Sequence, residues 1–449
     1  MKIFTDFVAK TLPPFLFACL MLMPARADTL SLKDYVRLSL KNNPQYALAA
    51  ASVDASRASH LAALADLLPG VDASADFARS ESKGKMTLNP GTDSALSVSG
   101  VANFNSASAG INGKVLLYDF GKTPLQYKAS GKSLKAAELN FLESIASIVL
   151  NAKTAYFNYL LSLQLLIVNE DALKQAGVHL AQAQTLFDVG KQAKIVVTNA
   201  SVDVANAQVG VIHARNAVKL AKIQLETVAA MKIAGPIVFT DSLNVVEDSI
   251  TETDVEKRAL ESRPEILSAK ASLEAQELKL RAEKASFLPS LNANAGLEWN
   301  AQDNASITGP DWNTFPSWSV GASLSFPIYD GGAIRAAVAG AQATVMQSKA
   351  QLDALILSVV QQIQQYYLQE TDAHERINAT ALVITQAEEN LQLTQERYKA
   401  GLGTSVDLTD AEQTLSKARS DHVQALYDYR VAYANLLLAI GSTGEVESR

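Results

Sequence analysis

The sequence predicts a mixed fold of long α-helices and membrane-spanning β-strands, written as two copies of one plan. Three observations carry this: landmarks recur at constant offsets, strictly alternating segments recur in each copy, and each copy holds a stretch of 69 positions between glycines with no Pro beyond its first turn. Asn43-Pro44 reappears as Arg263-Pro264 and Leu68-Pro69 as Leu288-Pro289, both 220 residues on. Tyr118-Asp119-Phe120-Gly121 reappears as Tyr329-Asp330-Gly331-Gly332, and Phe187-Asp188-Val189-Gly190 as Tyr398-Lys399-Ala400-Gly401, both 211 residues on. The first copy therefore carries nine extra residues between its Leu-Pro and its Tyr-Asp. A repeat of this kind is sought first because missing it misassigns the whole fold.

In chain order, residues 1–27 read as a secretory signal peptide. Lys2 and Lys10 precede an apolar run from Leu12 to Met23, which leads into the small-x-small site Ala25-Arg26-Ala27. The run is too short for an anchor, since a spanning helix needs roughly 20 apolar residues. A lipoprotein site is disfavoured because Cys19 lies inside the apolar run, behind bulky Phe17. Cleavage starts the mature chain at or near Asp28, leaves it without cysteine, and removes three positive charges and one negative, taking the formal charge from −7 to −9.

The first structural repeat is expected over 28–231, a linker over 232–253, the second repeat over 254–441 and a tail over 442–449. Each repeat opens with an Ala-rich helical stretch, Leu30 to Leu68 and Val255 to Leu288, stopped by a Pro that cannot continue the ladder. Two alternating segments follow. Val71, Ala73, Ala75 and Phe77 alternate with Asp72, Ser74 and Asp76, while Leu291, Ala293, Ala295, Leu297 and Trp299 alternate with Asn292, Asn294, Gly296 and Glu298. The return strands keep the habit from Ala107 to Leu117 and from Trp318 through Val320, Ala322, Leu324 and Phe326 to Ile328. A period of two with one apolar and one small or polar face suits a tilted strand between lipid and water, with Leu297, Trp299, Trp318, Leu324 and Phe326 toward lipid. A soluble sheet with one buried face alternates in the same way. The export signal and the aromatics decide against it: Trp299, Trp312, Phe315 and Trp318 gather at one end, Tyr118 and Tyr329 at the other, as at two membrane interfaces.

The stretches from Gly121 to Gly190 and from Gly332 to Gly401 are each expected to be one helix. At 1.5 Å per residue such a helix reaches about 100 Å. Ile145, Ala152, Tyr159, Leu166, Leu173, Leu180 and Phe187 step by seven, and Ile377, Ile384, Leu391 and Tyr398 keep the phase in the second copy. Such spacing implies left-handed coiling against neighbours. After a Gly-containing turn, return helices are expected from about Asn199 to Met231 and Asp407 to Ile440.

Composition excludes several kinds of chemistry. Of 449 residues 48% are hydrophobic and 19% charged, too apolar for a disordered chain. A pI near 5.4 argues against nucleic acid. The single cysteine rules out an internal disulfide and any Cys-based metal centre. His60, His179, His213, His374 and His422 are scattered, and His374-Glu375 lacks the second His of a zinc-protease helix. These histidines read as solvated helix residues, no cofactor is implied, and an enzyme is disfavoured. Asp407 and Asp410, three apart at a helix start, are read first as carboxylates that offset the helix dipole. In an oligomer they would instead form a ring of charge at a pore.

With the double pattern of Asn-Pro, helix, Leu-Pro, hairpin, Tyr-Asp-x-Gly, long helix and Ala-Gly turn in hand, and with Arg397-Tyr398-Lys399-Ala400-Gly401 followed by Val406-Asp407-Leu408, the chain resembles the TolC-like outer-membrane efflux protein family. The resemblance covers the whole mature sequence. It implies a homotrimer whose subunits each give four strands to a shared 12-stranded barrel in outer-membrane lipid, and whose coiled-coil helices form a periplasmic tunnel. It further implies an exit duct for efflux or secretion that meets a periplasmic adaptor and an inner-membrane RND or ABC-type transporter. By the same resemblance Tyr398, Asp407 and Asp410 match the gate, and the helix tips Gly190, Lys191, Gly401, Leu402 and Gly403 meet the adaptor. Two positions depart from the pattern: Gly403 stands where some members carry a gating Arg, and Val196 where some carry an Asp. Four strands cannot close a barrel alone, which independently requires shared subunits. The competing reading is a soluble periplasmic coiled-coil adaptor or scaffold. The duct reading expects the mature protein to leave the membrane only with detergent, and an Arg at Leu324, taken as mid-strand, to harm assembly more than an Arg at Ser323.

Overall fold

The computed structural model describes residues 29–88, 96–233, 238–239, 242–245, 252–303 and 313–441. The signal segment 1–27, the tail 442–449, Trp312 and most of the linker lie outside the described residues, as does the side chain of Phe315. The first copy runs β1 (Thr29–Leu30), α1 (Leu32–Asn42), α2 (Pro44–Ala65), β2 (Gly70–Leu88), β3 (Leu96–Tyr118), α3 (Lys122–Asp188) and α4 (Lys194–Val228). After β4 (Val238–Phe239), the second runs α5 (Glu252–Ser262), α6 (Pro264–Ala285), β5 (Ser290–Asp303), β6 (Asn313–Ser325), α7 (Ala333–Lys399) and α8 (Ser405–Ala439). Paired helices have equal lengths: 67 residues in α3 and α7, and 35 in α4 and α8.

The Ala-rich stretches expected as single helices are each two. Pro44 and Pro264 open α2 and α6, and the residue before a Pro is driven out of the helical region. Asn43 (ψ 124°) and Arg263 (ψ 121°) are accordingly extended. The Asn43 side chain accepts the Gln45 N–H at 2.9 Å and so caps α2 as it breaks α1. Leu30, expected to start a helix, instead belongs to β1, which pairs in parallel with β4 of the linker.

The two hairpins join edge to edge into one antiparallel sheet in the order β2-β3-β5-β6. The nine additional residues of the first copy lengthen its hairpin: β2 and β3 span 19 and 23 residues, β5 and β6 only 14 and 13. Register places residues directly across from one another on the same face. One row reads Ala73, Ile111, Leu297, Trp318 and the next alternate row reads Val71, Gly113, Ala295, Val320. The opposite face carries Asp72, Asn112, Gly296 and Ser319 in one row. Pairing ends at Ser325, so Phe326 and Ile328, expected inside the strand, lie beyond it. Pro327 lacks the N–H that a continuing ladder requires. A bulge at Leu117 brings Tyr118 opposite Leu291, on the apolar side.

Each copy has a core where its short first helix meets its long helices, and Val423, Leu426, Tyr427 and Val431 of α8 pack against that of the first copy. In the first, Tyr35, Val149, Ala152, Tyr156 and Leu225 cluster; in the second, Val255, Val359, Ile363 and Leu436 do so. The copies repack with compensation. Tyr35 and Ala152 correspond to Val255 and Ile363, so a large residue on the short helix faces a small one on the long helix in one copy, and the sizes reverse in the other. Close-packed interiors tolerate volume-conserving exchanges of this kind.

Candidate functional site

The strand-to-helix turns explain why Tyr-Asp-x-Gly occurs twice. In the second copy Gly331 and Gly332 have φ of 69° and 92°, and in the first Phe120 and Gly121 have 57° and 89°. Two successive left-handed residues reverse the chain from sheet to helix, and glycine reaches that region without steric conflict. The Asp secures the turn. Asp119 accepts N–H bonds from Gly121 at 3.1 Å and Thr123 at 2.6 Å, and Asp330 from Gly332 at 2.9 Å and Ile334 at 2.6 Å. The Ile334 and Gly332 amides hold the Asp330 carboxyl below the ordinary carboxylate range.

At the far end each long helix stops by the same device. Gly190 (φ 71°) donates to Phe187 O at 2.8 Å and Lys191 to Leu186 O at 2.8 Å; Gly401 (φ 74°) donates to Tyr398 O at 3.1 Å and Leu402 to Arg397 O at 2.8 Å. These paired bonds define a Schellman stop, which satisfies the last carbonyls through a left-handed glycine. The expected tip residues Gly190, Lys191, Gly401 and Leu402 are all exposed, while Gly403 packs so tightly that a Cβ would lie 3.3 Å from the Tyr398 nitrogen.

The expected gate residues fall in different surroundings. Asp407 completes a capping box, accepting the Thr404 N–H at 3.0 Å while its own N–H donates to Thr404 Oγ1 at 3.1 Å. The Thr404 backbone bond holds its carboxyl below the ordinary range. Asp410, one turn on, is exposed. Tyr398 is 4% exposed, packed among Leu391, Leu408, Ala411 and Leu415 in the seam between α7 and α8, and its hydroxyl has no hydrogen-bond partner.

Packing corrects the reading of the histidines as solvated for His179, and in part for His60 and His422, while His213 and His374 are exposed as expected. His179 on α3 is 2% exposed, stands edge-on to the Tyr398 ring at 5.6 Å and has Nε2 3.3 Å from Ser405 Oγ. Burial lowers its pKa, with Asp203 acting the other way. His60 stacks on Tyr127 at 4.5 Å, and His422 bonds Thr380 at 2.9 Å. A scattered position says nothing about which helix lies opposite, which is why spacing alone misplaced them. Further along the same seam Thr409 donates to Asp203 at 3.2 Å, and Arg419 bridges Asp171 and Glu388 at 3.1 and 2.9 Å. Glu412, which sequence reasoning passed over, lies beside Asp203 in a cleft of about 370 Å³ between α3, α4 and α8.

The apolar face of the sheet stays open to its surroundings. Trp318, Val320 and Leu324 are 76%, 75% and 70% exposed, and Leu297 and Trp299 line up with them. Among the described residues no group of three or more His, Cys, Asp or Glu is arranged to hold a metal ion.

The model of a family described as outer membrane efflux protein matches residues 35–230 and 255–442. The chain is 26% identical over 422 residues to the outer membrane protein TolC of Escherichia coli, spanning 90% of this chain and 80% of that protein. It is 25% identical over 436 residues to the alkaline protease secretion protein AprF of Pseudomonas aeruginosa, spanning 96% and 88%. Among solved structures, CusC shares the fold with a TM-score of 0.78 at 18% identity over 91% of this chain and 92% of that one. The CmeC outer membrane channel of Campylobacter jejuni does so with 0.75 at 18% over 96% and 93%. Two matched repeats covering most of the chain, together with these relatives, make it a member of the outer membrane efflux protein family, a channel of the outer membrane that reaches into the periplasm and not an enzyme.

Proposed function

We propose that this channel is the passive exit duct of a three-part export machine, receiving cargo from an inner-membrane RND or ABC-type transporter through a periplasmic adaptor. The sheet carries the reading: one face apolar, one polar, and both edge strands, β2 and β6, without a further partner strand among the described residues. Free edges in hydrocarbon leave backbone groups unsatisfied at several kcal/mol each, so copies must complete one another's barrel. The helices ask for the same neighbours. On α4, Ile195, Val202, Val209 and Ile223 share a seven-residue phase, and on α7, Met346, Leu357 and Leu368 step by eleven, all exposed in one chain. A homotrimer lets the faces of adjacent copies cover these stripes, with each repeat, 28–231 and 254–441, supplying one hairpin and one coiled-coil pair. In this reading the tips Gly190, Lys191, Gly401, Leu402 and Gly403 meet the adaptor.

The gate is assigned to Asp407 and Asp410 around the axis, backed by Tyr398. A ring of carboxylates attracts cations and repels anions. The Asp407→Asn, Asp410→Asn double variant keeps side-chain size and the ability to accept the Thr404 N–H, so it separates pore charge from helix capping. Single-channel recordings in planar bilayers should show weaker cation selectivity and weaker divalent block, with the heat-stable oligomer retained. Unaltered selectivity in a folded oligomer returns both residues to capping alone, and absence of any channel conductance in the parent protein overturns the duct.

A further inference from the structure

The contact between the two hairpins of one chain runs along α3 and α8, and toward the tips it carries polar contacts, Ser405 to His179 and Thr409 to Asp203, beside the apolar seam within each hairpin. We propose that Asp203, Glu412 and the buried imidazole of His179 form a proton-read clasp that holds the α3/α4 hairpin to the α7/α8 hairpin near the helix tips. The proposal rests on the reading above only in taking the tips as the place where the channel closes.

Geometry sets out the parts. Asp203 reaches from α4 and is held by Thr409 Oγ1 of α8 at 3.2 Å. Glu412, less than one turn past Thr409, faces the same cleft as Asp203. On the tip side His179 from α3 sits against Tyr398 of α7 and Ser405 of α8. Two buried polar atoms there, His179 Nδ1 and the Tyr398 hydroxyl, lack partners. Among the described residues, four charged groups line the cleft with Glu412. Asp203 comes from α4 and Asp171 from α3, while Lys417 and Arg419 come from α8 itself. Neither cation is free to neutralise it: Lys417 pairs with Asp421 at 2.9 Å, and Arg419 with Asp171 at 3.1 Å and Glu388 of α7 at 2.9 Å. A second carboxylate charge in this cleft thus meets repulsion and little water.

The sign of the response follows. Burial first, and Asp203 second, push Glu412 up to about 7 from an ordinary 4.5, so the packed arrangement prefers the protonated acid. The packed state is then favoured below 4.5 and loses ground as pH rises to about 7, beyond which the loss is complete. Buried His179 is pushed down from 6.5, so packing prefers the neutral ring and loses ground as pH falls below that value. The two responses oppose one another below 6.5, and above that value the Glu412 response dominates and the clasp loosens.

The test uses the full-length oligomer in detergent, with spin labels on cysteines at Ser201 of α4 and Thr414 of α8, both exposed and outside the clasp. Labelled chains are diluted into unlabelled ones so that distances within one chain are read. Between pH 6 and 8.5 the ratio of separated to packed distances should rise, by up to about tenfold from Glu412 and by less where the opposing His179 response offsets it. Glu412→Gln should abolish that rise, and Asp203→Asn, which removes the like charge, should reduce it to about twofold. No rise in the parent protein, or an undiminished rise in Glu412→Gln with the oligomer intact, overturns the clasp. Single-channel conductance on the same samples keeps the two readings apart: a distance response without a conductance response supports the clasp and counts against the tips as the gate.

Discussion

Arg at Val320 should prevent formation of the heat-stable oligomer, whereas Arg at the adjacent Ser319 should leave it intact. Val320 lies near the middle of β6, across from Ala295 on the apolar face, and is 75% exposed. Ser319 lies across from Gly296 on the polar face. A cation on the lipid side of a barrel costs about 2 to 4 kcal/mol at the bilayer midplane and about 0 to 1 near either interface. Every copy carries the change, so the penalty recurs around the closed barrel. The same depth dependence revises the expectation for Leu324. It sits one residue from the end of β6, which in the proposed barrel is close to one interface, so Arg there should lower oligomer yield far less than Arg at Val320. Gel mobility without boiling reads all three variants. Equal yields from Val320→Arg and Ser319→Arg would reverse the assignment of faces.

The second large effect belongs to the water-exposed half of the molecule. Tyr156 is fully buried where α1, α3 and α4 meet, its ring centroid 5.9 Å from that of Tyr35 and 6.1 Å from that of Phe157, and its hydroxyl donates to Leu30 O at 3.1 Å. Tyr156→Ala should destabilise the helical region by about 3 to 5 kcal/mol, the range for emptying a large aromatic site. Tyr156→Phe keeps the ring and loses the tie to β1, for about 1 kcal/mol. Urea denaturation followed by circular dichroism at 222 nm measures both. A Phe variant as damaged as the Ala variant would show that the hydroxyl, and not the ring, holds this corner.

Much of this architecture is legible in the chain because its signals are local and repeated. The turn Asp330-Gly331-Gly332 and the stops at Gly190 and Gly401 depend on backbone conformations that few residues adopt, so the letters themselves mark the place. The alternation of β5 likewise reads straight into its two faces. What escaped was set by context. A run such as Leu30 to Leu68 looks uniformly helical by composition, and only the steric demand of Pro44 on Asn43 divides it. Leu324 and Phe326 keep the alternating phase, but their depth depends on where pairing ends, which a neighbouring strand decides. His179 and Glu412 became a pair of interest because α3 and α8 lie side by side although 233 positions separate them, and no spacing rule within one helix reports that.

The self-sufficiency of the two helical cores, set against the incomplete sheet, imposes an order in time. Tyr35, Ala152, Tyr156 and Leu225 find all their neighbours within their own chain, as do Val255, Ile363 and Leu436. β2 and β6 do not. A newly exported chain can therefore fold its helices by a first-order process in the aqueous compartment, at a rate indifferent to how many other copies are present. Completion of the barrel waits on encounter and must quicken as copies accumulate. Between those two clocks the chain is a half-finished particle, its helical cores formed but its sheet edges and the apolar stripes of α4 and α7 uncovered, and its survival through that interval depends on how quickly it meets membrane and its own kind.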